Sequence, residues 1–181
     1  MKIIGLTGSY AAGKDTVADF LVKKGFSYYS LSDLLRQELK KDGKKITRDQ
    51  LIAKGNEMRI AYGAGVLAER IVKKLREEKP QNAVVVSIRN PDEVKFLKTE
   101  KEFELWFVDA PLKMRFERAK KRMRPEDEVG FDQFKEQEKL ENSEDAKSQQ
   151  LDKVALLADE TIMNDSHLES LFGNVEVLLK K

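Results

Sequence analysis

The stretch Ile3-Ile4-Gly5-Leu6-Thr7-Gly8-Ser9-Tyr10-Ala11-Ala12-Gly13-Lys14-Asp15-Thr16 reads as an apolar strand, a glycine-bounded loop and the start of a helix. Gly8 and Gly13 permit backbone angles that a Cβ forbids, so successive N–H groups can converge on an anion while the helix beginning near Gly13 aims its positive end at it. Lys14 follows at the spacing of a lysine that reaches β and γ phosphates. Val17, Phe20 and Leu21 then recur at helical spacing, which supplies the helix that a phosphate-binding loop needs. Ser9, Ala11 and Ala12 fall inside the cradle. Where Ser or Thr commonly follows the lysine and binds Mg2+, this chain has Asp15, with Thr16 next. Either can ligate a hard cation, and the spacing leaves the choice open.

Strand-like segments recur near Lys2–Thr7, Phe26–Leu31, Ala83–Ile88, Phe103–Val108 and Glu160–Met163, each followed by a helical pattern. Such alternation implies an α/β fold with a parallel sheet covered on both faces. Asn90-Pro91-Asp92-Glu93 carries an N-cap, a proline at the first helical position and an acid at the third. Ser166-x-x-Glu169 reads as a second capping box, and Leu168, Leu171, Phe172, Val175 and Leu178 form the inward stripe of the last helix. Trp106, in the fourth strand, is a core residue by default; His167, the only histidine, reads as a surface residue.

The chain has 181 residues, suited to one domain over 1–181 that buries about 70% of its unfolded surface. Lys and Arg number 34 against 32 Asp and Glu, a balance that argues against a partner such as duplex nucleic acid. The cysteine count of 0 rules out disulfides and thiolate metal sites. Neither a charged leader nor an apolar run of membrane-spanning length stands out, so a soluble cytoplasmic protein with no membrane partner is expected.

Two insertions interrupt the βα rhythm. One, about 34–75, holds two or more helices with turning glycines; the other, about 120–147, is almost entirely polar. Long excursions from a phosphate-binding core are commonly substrate covers and lids. Arginines cluster where such a core meets its ligands. Arg36 follows the second strand, in a helix expected to be capped by Ser32 or Asp33, and Arg89 ends the third; both are candidates for an acceptor phosphate, with a solvated arginine as the alternative for Arg36. Asn56-x-x-Arg59-x-x-Tyr62 gathers three polar groups near one helical face. Arg115, Arg118 and Arg122 follow Pro111 beside an apolar stripe of Phe116, Ala119 and Met123. With Arg124 they lead into the second insertion, as a lid carrying positive charge to a transferring phosphoryl would, or as a solvated basic face would. The acidic residues that follow, Glu126, Asp127, Glu128 and Asp132 among them, would repel a nucleic-acid backbone.

On these segments the chain resembles the P-loop nucleoside and nucleotide monophosphate kinase superfamily, near adenylate kinase and dephospho-CoA kinase. Gly13-Lys14-Asp15-Thr16 is similar to the loop of deoxynucleoside monophosphate kinases, and Ser32-Asp33-Leu34-Leu35-Arg36 resembles their acceptor-phosphate segment. The runs 56–68, 87–94 and Arg115-Phe116-Glu117-Arg118 resemble kinase-like proteins, including the segment fused to some deoxycytidylate deaminases. The resemblance implies a three-layer fold with a five-stranded sheet, an acceptor-binding insertion and a lid, using ATP and Mg2+ on a small-molecule nucleotide. It gives Arg118 and Arg122 the roles of lid arginines on the donor, and sets Asn164-Asp165-Ser166 beside the donor base. Lys14, Arg122 and Asp33 become the catalytic candidates; Asp33, Arg36, Arg59, Arg89 and Arg124 become the acceptor-binding set. One departure stands out: the Asp that commonly ends the third strand and organises Mg2+ is here Ser87, which throws the metal onto Asp15, Thr16 or Asp33.

Overall fold

The inner strands of the sheet alternate their side chains between two cores, and that period of two is what their apolar runs encode. The computed structural model describes residues 1–122, 129–140, 142 and 144–181. Its strands are β1 (Lys2–Gly8), β2 (Ser27–Ser30), β3 (Asn82–Val86), β4 (Phe103–Asp109) and β5 (Glu160–Met163), all parallel in the order β2-β3-β1-β4-β5. Ile3, Ala83, Val85 and Leu105 face one core. Ile4, Leu6, Val84, Val86, Trp106 and Val108 face the other.

Against the first face pack α2 (Leu31–Lys41), α3 (Arg48–Tyr62), α4 (Val66–Glu78), α5 (Pro91–Leu97) and the short α8 (Leu151–Ala155). Against the second pack α1 (Lys14–Lys23) and α9 (Leu168–Leu179), joined by the stacked rings of Phe20 and Phe172 with centroids 4.4 Å apart. Helix α6 (Leu112–Lys121) follows β4, and α7 (Phe131–Leu140) lies in the second insertion. Buried on both faces, the inner strands β1, β3 and β4 read as near-continuous apolar runs, while the edge strands β2 and β5 are half exposed.

Several local expectations shift. Leu31 opens α2 in place of ending β2, so Ser30 is the N-cap and Ser32 and Asp33 lie in the first turn. Their hydroxyl and carboxylate are engaged by Arg36 instead. The Ser166 capping box does not form: α9 starts one residue later than such a cap would set, with His167 at the N-cap and Leu168 exposed. The Asn90 box forms in full, its side chain accepting from the main chain while Glu93 reaches back. The first insertion contains three helices, α2 to α4. In the second, α7 is less polar in effect than its composition, because Phe134 is 2% exposed and packs on Phe116 and Tyr10. Among the described residues no helix is long and apolar enough to cross a membrane.

Candidate active site

The loop between β1 and α1 is shaped by two glycines with distinct reasons. At Gly8 a Cβ would run into the Val108 carbonyl of the neighbouring strand, so glycine alone allows β1 and β4 to close up there. At Gly13 φ is 99°, and a Cβ would strike the Asn164 amide. Ala11 also has positive φ, 60°, a conformation an alanine adopts only when its surroundings impose it. The loop therefore turns its main chain around an open space and ends at the N-terminus of α1, the geometry that binds phosphate. Lys14 Nζ lies 2.8 Å from Asp15 Oδ1, with the lysine 24% and the carboxylate 67% exposed. Both residues and Thr16 line a cleft of about 860 Å3.

Behind this loop, Asn164 donates through Nδ2 to the Ala12 carbonyl at 2.8 Å and is almost fully buried. Its main chain is tied to Asp109 across the sheet at 2.7 Å. Arg118 Nη2 donates to the Asn164 side-chain oxygen Oδ1 at 3.4 Å while lining the cleft. Asn164 is thus a brace for the loop, outside the cleft wall. Arg122 lies over the Tyr10 ring at 5.0 Å and also lines the cleft. Arg115, expected to reach outward with them, is buried. Its guanidinium donates to Ala110 O at 2.8 Å and Tyr10 O at 3.4 Å, and pairs with Glu138 of α7 at 2.6 Å. Arg124 and Met123 lie outside the described residues.

On the other side, Arg36 Nη1 donates to Ser32 Oγ at 2.7 Å and Asp33 Oδ1 at 2.8 Å. Ser32 in turn shares hydrogen bonds with Ser30 at 2.9 Å and Ser87 at 3.2 Å. Ser32, Arg36 and Ser87 line the cleft; Asp33 does not, and its carboxylate is half exposed. Arg89 lines it too, donating to Gln149 Oε1 at 3.0 Å. Arg59 reaches the cleft wall, but its Nε and Nη2 are committed to Glu93 Oε1 at 3.3 and 2.8 Å. Tyr62, its expected companion, is 66% exposed and outside the cleft. An apolar wall of Tyr28, Ile46, Leu51 and Ile52 completes this half. Partial burial, and then the nearby Asp33 and Asp15 carboxylates, push the Tyr28 phenol above its ordinary value against opposing contributions from Ser30 and Arg36.

Mg2+ fits this arrangement in one form only. No group of three His, Cys, Asp or Glu side chains that could hold a metal occurs among the described residues. An ion here would keep several waters and take one or two ligands from Asp15 and Thr16 plus phosphate oxygens, the usual manner of Mg2+ with a phosphorylated substrate. Local patterns could not find Gln149, Tyr10 as the seat of Arg122, or the meeting of Tyr28 with Ile46, Leu51 and Ile52, because each is assembled from segments apart in sequence. Glu93 was visible only as a helix cap.

The parallel sheet, the central glycine loop and the two helical insertions define a P-loop kinase fold. Solved structures with this fold include TT1252 from Thermus thermophilus (TM-score 0.62, 18% identity, 99% of this chain and 96% of that one). Shikimate kinase from Bacteroides thetaiotaomicron superposes with TM-score 0.61 at 17% identity, covering 99% of both chains. At such identities the likeness is one of fold alone. No family model matches the chain. In sequence it is 31% identical over 183 residues to a UPF0200 protein of Sulfurisphaera tokodaii, covering 100% of this chain and 97% of that protein. A UPF0200 protein of Pyrococcus abyssi is 30% identical over 184 residues, with 99% and 96% covered. The chain belongs to the UPF0200 family. It spans 56% of the length of a further relative at 30% identity, a UPF0200/UPF0201 protein of Archaeoglobus fulgidus.

Proposed function

We propose that this protein is an ATP- and Mg2+-dependent phosphotransferase whose acceptor is a small nucleotide, in the first instance a ribo- or deoxynucleoside monophosphate. The observation that carries the reading is the single cleft in which the phosphate-type loop faces a second set of cationic side chains, Arg36 and Arg89, beside an apolar wall. A protein that only sensed ATP would have no use for that second set. A flat base against Tyr28, Ile46 and Ile52 with its phosphate on the two arginines suits this half of the cleft.

Mg2+, when bound with ATP, supplies charge neutralisation across the β and γ phosphates. The chain's own residues supply the rest. The loop amides and Lys14 hold the donor phosphates, with Lys14 leaving Asp15 as it turns to them. Arg118 and Arg122 add positive charge where the γ-phosphoryl moves, and Arg36 and Arg89 orient the acceptor. Arg124 is a further candidate for the acceptor. A phosphate acceptor is already nucleophilic, so no general base is required. A hydroxyl acceptor, as in dephospho-CoA, would need one, and Asp33 lies outside the cleft lining with its carboxylate on Arg36. That observation favours a phosphate acceptor. Ser87 in place of an acid supports a second reading, a nucleotide-binding regulatory module with little turnover.

The test is a coupled phosphotransfer assay over all ribo- and deoxynucleoside monophosphates, dephospho-CoA and shikimate, with ATP and GTP as donors. Saturable turnover of one nucleoside monophosphate is the expected result. Turnover of dephospho-CoA or shikimate alone would replace the acceptor class, and MgATP binding without any turnover would favour the regulatory module.

A further inference from the structure

Ser87, where β3 gives way to the turn before α5, has φ 67°, a left-handed conformation unfavourable for serine. Such a turn persists only if its surroundings fix it, and here nearly every main-chain group is fixed. The Ile88 carbonyl accepts from Thr7 Oγ1 at 2.9 Å. The N–H groups of Arg89 and Asn90 donate to Glu93 Oε2 at 2.8 and 3.1 Å. The Arg89 carbonyl accepts from the Gln150 N–H at 2.9 Å. Asn90 Nδ2 donates to the carbonyls of Ala146 and Ser148 at 2.7 and 2.9 Å. The one long side chain that leaves this frame is Arg89, which passes into the cleft and meets Gln149.

At the centre of the frame is a buried ion pair. Glu93 is 0% exposed and Arg59 3% exposed, with Glu93 Oε1 taking both Nε and Nη2 of the arginine. A buried pair of this kind adds little stability over a well-packed apolar pair of the same volume, because both ions lose their hydration. A neutral cap would close α5 equally well. What the carboxylate adds is four accepted hydrogen bonds at once: two from the acceptor-side helix α3 and two from the main chain that carries Arg89.

We propose that Glu93, held by Arg59, is a positioning residue that sets the direction of the Arg89 guanidinium in the acceptor half of the cleft. The assignment deepens the proposed function and rests on it for the role of Arg89 toward the acceptor. It also gives Arg59 a task other than touching the acceptor. Through Asn90, the same frame ties the turn at Ala146–Ser148, where the second insertion ends, to Arg89.

The first readout needs no acceptor. In the wild-type protein the Arg89 Nε–H signal, assigned by its loss in Arg89→Lys, should be that of an ordered side chain by heteronuclear relaxation; a freely mobile signal there would overturn the proposal without any further variant. The paired change Arg59→Met with Glu93→Leu removes both charges together but also takes the acceptor from the Arg89 and Asn90 N–H groups, so its folding is first checked by melting. In it the Arg89 signal should become mobile and the acceptor KM should rise about 10-fold or more, with MgATP affinity held within about twofold. Glu93→Gln, which keeps the shape, is the second variant and should show a smaller rise. A folded variant with an ordered Arg89 signal and an unchanged acceptor KM would make the pair merely structural. If wild type saturates with no acceptor, the proposed function fails on its own, while the Arg89 signal still decides the positioning role.

Discussion

Lys14 brings charge to the loop and lines the cleft outside both hydrophobic cores, so its removal separates binding from folding. Lys14→Ala should leave the melting temperature of the free protein nearly unchanged and abolish the extra stability conferred by MgATP, which for the wild type at 100 times Kd would be about 2.7 kcal/mol. A thermal-shift titration measures it; full stabilisation of the variant would remove the donor assignment from this loop. Asp15 occupies the usual hydroxyl position and now pairs with Lys14 at 2.8 Å. On the proposed reading, a lysine that turned to phosphate would give up this pairing, and the carboxylate could then serve as a metal ligand. Asp15→Ala should therefore raise the Mg2+ concentration for half-maximal turnover, and an unchanged requirement would pass the role to Thr16. The loop was legible residue by residue because backbone freedom at Gly8 and Gly13 and a following lysine are local requirements. Arg59 was not: its partner Glu93 lies 34 positions away, and no periodicity announces such a pairing.

Helices and strands add a second kind of evidence, the contacts between whole elements. Tyr29 at the end of β2 donates to Glu78 at the end of α4, Oη to Oε2 2.7 Å, and is 5% exposed. Burial, and then the Glu78 carboxylate, push its phenol up to about 12. The unfolded phenol ionises near 10, so the stability from this contact is intact below pH ~10 and is lost as pH rises through about 12. An ultraviolet tyrosinate titration alongside melting curves should show one tyrosine ionising late, and Tyr29→Phe should remove that component and flatten the alkaline fall in stability. Strands were readable to within two residues at their ends, the inner three because burial on both faces makes them near-continuous apolar runs. Helix starts were less so. Asn90 caps α5 as its sequence says, whereas Ser32 and Ser166 match the cap pattern without capping, because hydroxyls and carboxylates near a helix start are equally free to serve Arg36 or solvent. The hydrophobic seat of α7 was hidden by its polar composition: two phenylalanines, Phe131 and Phe134, against Phe116 and Tyr10 place the helix.

At the scale of the molecule, the strand order places the phosphate loop at the middle of the carboxyl edge, after β1, with β3 on one side and β4 on the other. Arg36 follows β2 and Arg89 follows β3. Arg118 and Arg122 belong to the chain after β4, and Asn164 follows β5. The topology thus sorts the arginines into two groups on opposite sides of the loop, at the edge where open α/β sheets bind their ligands. No single segment of sequence contains that sorting, since it depends on which strands are neighbours. It predicts that the two groups act on different ligands. Arg36→Ala or Arg89→Ala should weaken acceptor binding by about 2–3 kcal/mol, roughly 30- to 150-fold, because each removes a charge-assisted hydrogen-bonding partner from a partly desolvated site. MgATP affinity, followed by calorimetry, should scarcely move. Arg118→Ala should do the reverse, weakening MgATP binding and leaving the acceptor's own affinity intact. If Arg36→Ala and Arg89→Ala both lose ATP and keep the acceptor, the two halves of the cleft are assigned the wrong way round, and the insertion of α2 to α4 is a donor-side structure.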